Sequence, residues 1–285
     1  MTTIRAALAA AADRLAAAGV ESPDREACWL LAHLLGSSVG AVRVRSDSDL
    51  SVDDVRAFHA LVARRERREP IQYILGTEEF LGLTFAVTPA VLIPRLDTET
   101  LVMEAVSRLQ GRGPVRVADI GTGSGAIAVA AAHLLSQARV VGVDLSADAL
   151  AVAAENAERN GVAQRVEFRQ GDLLAPLGNE RFDAILSNPP YIADDEVARL
   201  MPEVRDWEPR LALTPGPDGY TLYRRLSADA PAHLRTGGFL GVEVGIGQAE
   251  AVSQLMMEAG FLQVTVHPDT AGVDRAVFGV WGAVL

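Results

Sequence analysis

The chain has 285 residues, of which 49% are apolar, so it is long enough for two domains and can bury a substantial core. A formal net charge of −11 argues against a protein that binds through nucleic-acid phosphates, because such proteins present a basic surface. The single cysteine, Cys28, excludes an intramolecular disulfide, and the histidines show no metal-ligand spacing, so we expect no metal cofactor.

The N-terminal segment predicts an amphipathic helix. Apolar residues recur at helical spacing from Ile4 to Leu15, while Asp13 and Arg14 interrupt the apolar run. These charges argue against a secretory signal, and no apolar run approaches the ~20 residues that a membrane-spanning helix needs. We therefore expect a cytoplasmic protein without a membrane segment.

Two more helix starts follow. Ser22-Pro23-Asp24 combines a capping hydroxyl, a proline for the first turn and an acid near the positive end of the helix dipole, and Gly36 ends that helix. Ser51 begins another helix, which runs to an arginine cluster at residues 64–68. Such a cluster is typical of a solvated helix end, although it would also suit an acidic partner. The pattern predicts a helical domain over residues 1–72.

The periodicity changes between Ile71 and Arg95. The stretch EEFLGLTFAVTPAVLIPR predicts a short β-hairpin, with Gly82 at its turn and Pro89 and Pro94 fixing the exit. We expect residues 73–95 to connect the helical domain to a second domain over residues 96–285.

Strands and helices alternate in that second domain. Strands are predicted at residues 115–120, 138–145, 165–172, 182–188, 237–244, 261–268 and 275–284, and helices at residues 126–135, 147–160, about 220–234 and 248–259. This alternation predicts an α/β fold: a mostly parallel seven-stranded sheet with helices on both faces. The last two strands lack an intervening helix, so we expect an antiparallel pair at one edge.

Three glycines follow the first strand of this sheet, in VADIGTGSGAIAVA. Their G-x-G-x-G spacing is neither the G-x-G-x-x-G of dinucleotide folds nor a phosphate-binding loop, which would need a lysine. With Asp119 two residues before the first glycine, the pattern resembles the motif by which class I methyltransferases, a Rossmann-like fold, hold S-adenosylmethionine. The resemblance implies cofactor-binding roles for Asp119, Gly121, Thr122, Gly123, Ser124 and Gly125.

Acidic residues end the next two strands. Asp144 is placed to accept hydrogen bonds from ribose hydroxyls, as in other nucleotide folds, and a helix-capping role together with Ser146 is compatible with this. We also expect Leu145, the next residue, to contact the cofactor. The methyltransferase resemblance implies that Asp172 contacts adenine and that the neighbouring Leu173 covers the ring.

The fourth strand ends in Asn188-Pro189-Pro190-Tyr191, within LSNPPYIADD. This sequence resembles the signature of methyltransferases that act on nitrogen in a planar conjugated group. An amide nitrogen is a poor nucleophile because its lone pair is shared with the carbonyl. The Asn188 side-chain oxygen and the Pro189 carbonyl can each accept an N–H bond and orient that nitrogen, while Pro190 stiffens the loop and Tyr191 offers an aromatic face. A rigid turn would explain the prolines but not Asn188 and Tyr191.

Catalysis by this tetrad would rest on positioning and electrostatics. Since the nitrogen can lose its proton after methyl transfer, we expect no essential general base.

Longer segments narrow the substrate. PIQYILGTEEFLGLTFAVTPAVLIPRLDTETLV, WEPRLAL, GPDGY, GGFLGVEVGIGQ and AGVDRAV resemble, in order and spacing, the release factor glutamine methyltransferases. These enzymes methylate the glutamine side-chain amide in the Gly-Gly-Gln motif of peptide chain release factors. The resemblance implies S-adenosylmethionine as methyl donor, a release factor as protein partner, and a helical domain that helps to grip it.

The same resemblance suggests walls for the substrate entrance. Besides the tetrad, Arg95, Glu99, Trp207, Glu208 and Pro209 are candidates, although each would also serve as domain-interface structure. The chain departs from the family pattern at Leu96, where a proline is usual, and at Asp97, where the acid is usually glutamate. Leu173 stands where some relatives carry tryptophan.

Two other functions are compatible with parts of this pattern. A nucleic-acid methyltransferase for exocyclic amines would use the same four residues on an unstacked base, but it predicts a basic approach surface. A cofactor-binding protein without catalysis would have no need for residues 188–191. We therefore expect an enzyme that does not bind nucleic acid directly. The sequence leaves the oligomeric state open, and we expect a monomer.

Overall fold

A computed structural model describes residues 2–282 and divides them into two units. One unit comprises the described residues up to Gly76 together with Met201–Trp207. The other comprises Thr77–Leu200 together with the described residues from Glu208 onward. Relative to the predicted limits at residues 72 and 95, the hairpin falls in the second unit and a segment beyond the Asn-Pro-Pro-Tyr sequence falls in the first. Residues 1 and 283–285 of the predicted domains lie outside the described residues.

The helices are α1 (Ile4–Ala17), α2 (Pro23–Leu34), α3 (Val39–Val44), α4 (Val52–Glu66), α5 (Ile71–Leu75), α6 (Thr98–Leu109), α7 (Ala126–Leu134), α8 (Ala147–Arg159), α9 (Pro202–Arg205), α10 (Thr221–Asp229) and α11 (Ala249–Glu258). The strands are β1 (Thr2–Thr3), β2 (Asp49–Leu50), β3 (Thr77–Phe80), β4 (Leu83–Ala86), β5 (Arg116–Ile120), β6 (Arg139–Asp144), β7 (Val166–Gln170), β8 (Phe182–Ser187), β9 (Leu234–Glu243), β10 (Leu262–Pro268) and β11 (Asp274–Val280). Across residues 2–282, none of the helices combines the length and the apolar character that a membrane crossing requires.

The first unit is the predicted helical bundle. Its core is apolar and fully buried, and it includes Leu15 of α1, Leu30 of α2 and Phe58 of α4. Ser51 caps α4, since its side chain accepts a hydrogen bond of 3.0 Å from the Asp54 amide. The Ser22 side chain makes no such bond to α2, so the predicted hydroxyl cap there was wrong.

The hairpin is shorter than the predicted one. Strands β3 and β4 pair through a turn at Leu81 and Gly82, which confirms the hairpin and its turn. Residues Ile71–Leu75, assigned to the start of this extended region, instead form helix α5. Pro70 is compatible with a helix start, and Gly76, with φ of 77°, ends the helix in the left-handed conformation.

The second unit contains the predicted seven-stranded sheet, in the order β10-β11-β9-β8-β5-β6-β7. The five strands from β9 to β7 run parallel, while β11 pairs antiparallel with β9 and with β10. The final strand ends at Val280, earlier than predicted, and predicted positions 283–284 lie outside the described residues.

Helices cover both faces of the sheet. One core joins alternate strand residues such as Val117 and Leu186 to α6, α7 and α8, and the other joins Ile120 and Ile185 to α10 and α11. Helix α6 was not predicted, although Leu101, Val102 and Ala105 mark its buried face at helical spacing.

Candidate active site

A cavity of about 560 Å³ lies at the carboxyl ends of the parallel strands, where β5 is flanked by β6 and β8. This is the position where the strand order reverses and where open α/β sheets bind ligands. The volume lies within the range usual for cofactor sites. Of the residues predicted from the sequence, the cavity is lined by Arg95, Gly121, Thr122, Gly123, Ser124, Asp144, Leu145, Asp172, Leu173, Asn188 and Pro190, and Pro209 joins them.

The glycine-rich turn follows β5 and leads into α7. Gly121, Gly123 and Gly125 have φ values of 73°, 54° and 82°, which favour glycine because a Cβ atom clashes with the backbone in this region. Gly125 is not in the cavity wall. A Cβ atom there would lie 3.1 Å from Cβ of Ala153 on α8, so this glycine permits close packing between α7 and α8.

Asp119 supports the turn from below. Its Oδ2 accepts hydrogen bonds from Thr122 Oγ1 at 2.6 Å and from the Ala128 amide at 3.0 Å. Within residues 2–282, its Oδ1 is buried without a hydrogen-bond partner. Burial raises the pKa of this carboxyl to about 7. Asp119 therefore shapes the turn and is not itself part of the cavity wall.

Asp144 fastens the turn to the neighbouring strand. Its Oδ2 accepts a 2.9 Å hydrogen bond from the Gly123 amide, and its Oδ1 accepts one of 2.9 Å from the Ser146 amide. Ser146 in turn caps α8 through the Ala149 amide at 3.2 Å. The two interpretations of Asp144, ribose contact and local capping, are thus geometrically compatible, because each carboxylate oxygen has a further lone pair.

The far rim of the cavity carries Leu145, Asp172 and Leu173. Leu145 is 51% exposed. The Asp172 carboxylate pairs with the Arg225 guanidinium at 2.7 and 3.2 Å. Leu173 has φ of 48°, an uncommon conformation for a leucine, and its side chain is half-buried against the second core.

The Asn-Pro-Pro-Tyr sequence begins directly after β8. Asn188 and Pro190 reach the cavity, while Pro189 is buried and Tyr191 lies outside the wall. The Tyr191 carbonyl accepts a 3.0 Å hydrogen bond from Gln248 Nε2. A Cβ atom at Gly219 would lie 2.5 Å from the Tyr191 carbonyl oxygen, and one at Gly245 would lie 3.0 Å from the Tyr191 ring. Glycine at both positions makes room for Tyr191.

Two buried residues next to Asn188, Thr98 and Glu243, were missed from the sequence, and Thr98 also lines the cavity. Asn188 Nδ2 donates to Thr98 Oγ1 at 3.1 Å, and Thr98 Oγ1 donates to Glu243 Oε2 at 2.5 Å. Burial raises the pKa of Glu243 to about 7. The sequence did carry a signal for Glu243, because it is a glutamate within the apolar stretch GGFLGVEV. A glutamate that is buried with such a strand almost always has a bonding partner.

The remaining residues predicted to line the entrance have different surroundings. Arg95 Nη2 donates to both carboxylate oxygens of the buried Glu208, at 2.8 and 2.7 Å. Burial raises the Glu208 pKa, and the Arg95 charge opposes this rise. Glu99 lies away from the cavity wall and accepts a 2.8 Å hydrogen bond from the Leu81 amide in the hairpin turn. Trp207 belongs to the helical unit.

A further buried residue, Asn156 of α8, braces the site. Its Oδ1 accepts from the Ala86 amide at 2.6 Å, and its Nδ2 donates to the carbonyls of Ala86 at 3.0 Å and Ser124 at 2.9 Å. One side chain thus joins the hairpin to the glycine-rich turn. Nothing in the local pattern of α8 distinguished Asn156 from a surface asparagine.

Known proteins resemble the chain over almost its whole length. Residues 6–76 match the family model described as "PrmC N-terminal domain", and residues 92–203 match the "Methyltransferase small domain". A release factor glutamine methyltransferase of Geobacter sulfurreducens is 49% identical over 277 residues, which cover 97% of this chain and 96% of that protein. One from Moorella thermoacetica is 45% identical over 274 residues, covering 96% of each chain.

The fold is also known from crystal structures. A methyltransferase from Pyrococcus furiosus superposes with a TM-score of 0.53 at 17% identity, covering 82% of this chain and 100% of that chain. This likeness concerns the fold alone, whereas the sequence identities above extend to both units. The resemblance inferred from the motifs is therefore confirmed, and the chain belongs to the release factor glutamine methyltransferase family.

Proposed function

We propose that this chain transfers the methyl group of S-adenosylmethionine to the glutamine side-chain amide in the Gly-Gly-Gln motif of peptide chain release factors. The observation that carries the proposal is the position of Asn188, which reaches the same cavity as the glycine-rich turn. A cofactor on the turn and an amide held by Asn188 would meet in that cavity. The family of the chain supports this substrate.

The cavity suits the proposed cofactor. A Cβ atom at Gly121 would have no neighbour within 4 Å, and one at Gly123 would lie 4.0 Å from the Gly121 carbonyl oxygen. The space beside both glycines is therefore open, and a ligand can approach the backbone closely. Asp144 would accept from the ribose hydroxyls with the lone pairs that its backbone partners leave unused. Leu145, Asp172 and Leu173 would surround the adenine. When bound, the cofactor supplies an electrophilic methyl group on a sulfonium.

Asn188 and Pro189 would orient the substrate amide. Because Asn188 Nδ2 donates to Thr98, its Oδ1 is the end of the side chain available to accept a substrate N–H. The Pro189 carbonyl would take the second N–H. Holding both hydrogens fixes the plane of the amide and aims its nitrogen at the methyl carbon. Pro190 stiffens this loop at the cavity wall. Tyr191 does not line the cavity, so it would contact only a part of the substrate that lies outside the cavity.

The substrate enters as part of a protein. The two glycines before the target residue allow a narrow backbone to enter a cavity that a bulkier segment would not. The Arg95–Glu208 pair gives the entrance a fixed wall, since Arg95 lines the cavity and its partner is buried. We assign release factor recognition to the helical domain, and we expect a monomer that acts in the cytoplasm without a metal.

Labelling experiments separate this proposal from its rivals. The purified chain is given S-adenosylmethionine with a labelled methyl group, together with a release factor, with the same factor carrying Gln→Ala in its Gly-Gly-Gln motif, with DNA or with RNA. Label on the first substrate alone supports the proposal. Label on DNA or RNA would support an exocyclic-amine methyltransferase, and label on none of them a binding protein without catalysis.

Asn188→Ala tests the site within the same assay. We expect the activation free energy of the chemical step to rise by several kcal/mol. This is about the loss seen when an oriented hydrogen-bonding group is removed from a reacting centre. Cofactor affinity should persist. Ser253→Ala is the matched control, because Ser253 is a buried polar residue of α11 whose hydroxyl, among the described residues, bonds only the Ala249 carbonyl in its own helix.

A further inference from the structure

Asn188, Thr98 and Glu243 form a chain of hydrogen bonds that begins at the cavity and ends in the protein interior. Thr98, the first residue of α6, is 4% exposed, and Glu243, the last residue of β9, is 1% exposed. Asn188 Nδ2 lies 3.1 Å from Thr98 Oγ1, which lies 2.5 Å from Glu243 Oε2. Three segments far apart in sequence therefore meet at the Asn188 side chain, with Thr98 beside it in the cavity wall and Glu243 outside that wall.

The direction of each bond follows from chemistry. A threonine hydroxyl has a single hydrogen, and an ionised carboxylate can only accept. Once Thr98 gives its hydrogen to Glu243, it presents only lone pairs to Asn188. Those lone pairs attract the Nδ2 end of the amide and repel the Oδ1 end. The carboxylate thus selects one of the two orientations of the Asn188 amide.

We propose that Thr98 and Glu243 are positioning residues that fix the Asn188 side chain with its oxygen toward the substrate amide. The inference rests on the proposed role of Asn188. With the opposite orientation, Asn188 would present N–H groups to the N–H groups of the substrate and could not hold them. Neither Thr98 nor Glu243 needs to touch the reacting atoms, since each acts through its neighbour.

The setting of Glu243 shows why this arrangement depends on pH. The charged and titratable groups that face it are Asp97 at the start of α6, Arg275 of β11, Tyr191 and Tyr223. Arg275 is shared with Asp97 at 2.9 Å and Asp269 at 3.3 Å, and does not pair with Glu243. Tyr191 Oη lies 3.5 Å from Glu243 Oε1, the outer limit of a hydrogen bond, and Tyr223 Oη donates to the Glu243 carbonyl at 2.9 Å.

Protonation removes the constraint. A neutral Glu243 carboxyl can donate to Thr98, which frees the threonine hydrogen for Asn188 and permits the unproductive orientation. Burial raises the pKa of Glu243 to about 7. On mild acidification the chain of hydrogen bonds therefore no longer selects one orientation of the Asn188 amide. This loss of activity at low pH differs from general-base catalysis, since Glu243 is not in the cavity wall and acts on the substrate only through Thr98 and Asn188.

The first test compares Thr98→Val, which removes the hydroxyl at constant shape, with Thr98→Ser, which keeps it. We expect Thr98→Val to lower kcat for release factor methylation roughly tenfold, about the effect of losing one buried hydrogen bond, without changing the dissociation constant for S-adenosylmethionine. Thr98→Ser should retain most of the activity. Ser253→Ala serves as the control for loss of a buried hydroxyl.

The second test asks whether Thr98 acts through Asn188. In the Asn188→Ala background, Thr98→Val should have no further effect on kcat, because the side chain that it positions is gone. A merely structural Thr98 would lower activity equally in both backgrounds. Equal, additive effects would overturn the proposal, and so would wild-type kcat in Thr98→Val.

The third test is the pH profile of kcat. The wild type should lose activity as the pH falls through about 7, and Glu243→Gln should show lower activity but no such limb. A limb that persists in Glu243→Gln would exclude Glu243 as its origin. These outcomes are separate from failure of the proposed function, in which the wild type itself would leave release factor unmethylated. Circular dichroism confirms that each variant is folded.

Discussion

The Gly123 amide donates a 2.9 Å hydrogen bond to Oδ2 of Asp144. This bond joins the glycine-rich turn after β5 to the end of the neighbouring strand β6. The turn that would approach the cofactor and the acid that would hold its ribose are therefore one rigid assembly. Preorganisation of this kind lowers the cost of ordering a binding site when the ligand arrives.

Removing the Asp144 carboxylate should weaken cofactor binding. Asp144→Ala loses both the ribose acceptor and the clamp on Gly123, and we expect the dissociation constant for S-adenosylmethionine to rise tenfold or more, about the effect of losing a charged hydrogen bond. Isothermal titration calorimetry measures this constant directly. Asp148→Ala, at an exposed acid in the first turn of α8, is the matched control. An unchanged constant in Asp144→Ala would remove the ribose assignment.

Close packing at Gly125 should make this position intolerant of a side chain. Gly125→Ala forces φ of 82° on an alanine and places its Cβ 3.1 Å from that of Ala153, so we expect a loss of about 2–4 kcal/mol in the free energy of unfolding. Gly161→Ala, with φ of 69° and no neighbour within 4 Å, should lose only about 1 kcal/mol. Urea denaturation compares the two variants.

A compensating change identifies the cause. Ala153→Gly removes the nearer of the two atoms that Gly125→Ala would meet, Cβ at 3.1 Å, and leaves Cα at 3.2 Å, so the double variant should recover part of the lost stability. If the double variant recovers no stability, the Cβ atom of Ala153 does not contribute to the loss.

Much of this architecture was predictable because it depends on local patterns. The central strands β5, β6 and β8 are mainly apolar runs that end in a turn signal, and three glycines and two prolines mark the two loops that reach the cavity. These features require only neighbours in sequence. Asp144 and Asn188 could be identified because the carboxyl ends of parallel strands converge at one edge.

The residues that support the site were not predictable in the same way. Thr98 lies 90 positions from Asn188 and 145 positions from Glu243, and neither stretch indicates which partner it will meet. Glu99, the next residue, is also a polar side chain in the first turn of α6, but it accepts its hydrogen bond from the Leu81 amide in the hairpin. Only the register of the sheet and the packing of α6 decide which of these adjacent side chains faces the site.

Stability should respond to pH through Glu243. In the unfolded chain this carboxyl has its ordinary pKa of 4.5, whereas burial raises the folded value to about 7. Between these values the folded state holds the extra proton, so its contribution to stability falls as pH rises from 4.5 to about 7 and is constant above. The full change corresponds to roughly 3 kcal/mol.

Glu243→Gln removes this titration. The stability of the variant relative to the wild type should therefore increase with pH across that window, even though the variant is less active. Urea unfolding at pH 5, 6, 7 and 8 measures the difference, and Glu250→Gln, at an exposed position on α11, is the control. A difference that does not vary with pH would show that Glu243 ionises normally in the folded state.

Part of the arginine cluster at residues 64–68 belongs to a largely buried ion network, whereas Arg67 is exposed as expected for a solvated helix end. Arg65, 5% exposed, pairs with Glu26 at 2.5 Å and with Glu203 at 2.8 Å. Arg68 pairs with Glu203 through two bonds of 2.7 Å. The Glu203 pKa is lowered, because the hydrogen bonds and charges of Arg68 and Arg65 outweigh its desolvation.

Glu203→Ala should therefore destabilise the helical unit. Removal of the shared carboxylate leaves Arg68 with only the Ala18 carbonyl as a bonding partner among those described, at 3.3 Å, and we expect a loss of about 2 kcal/mol. Scanning calorimetry measures the loss, and Glu21→Ala, at an exposed acid before α2, is the control. A variant as stable as this control would show that the network contributes no net stability.

The proposal that residues 188–191 present a planar amide to a methyl donor in the cavity of the second unit can be tested most directly by mass spectrometry. The sample is a release factor after incubation with the chain and S-adenosylmethionine. We expect one added methyl group, on the side chain of the Gly-Gly-Gln glutamine, with wild type and with Ser253→Ala but not with Asn188→Ala. An unmodified glutamine with the wild type, or equal methylation by Asn188→Ala, would contradict it.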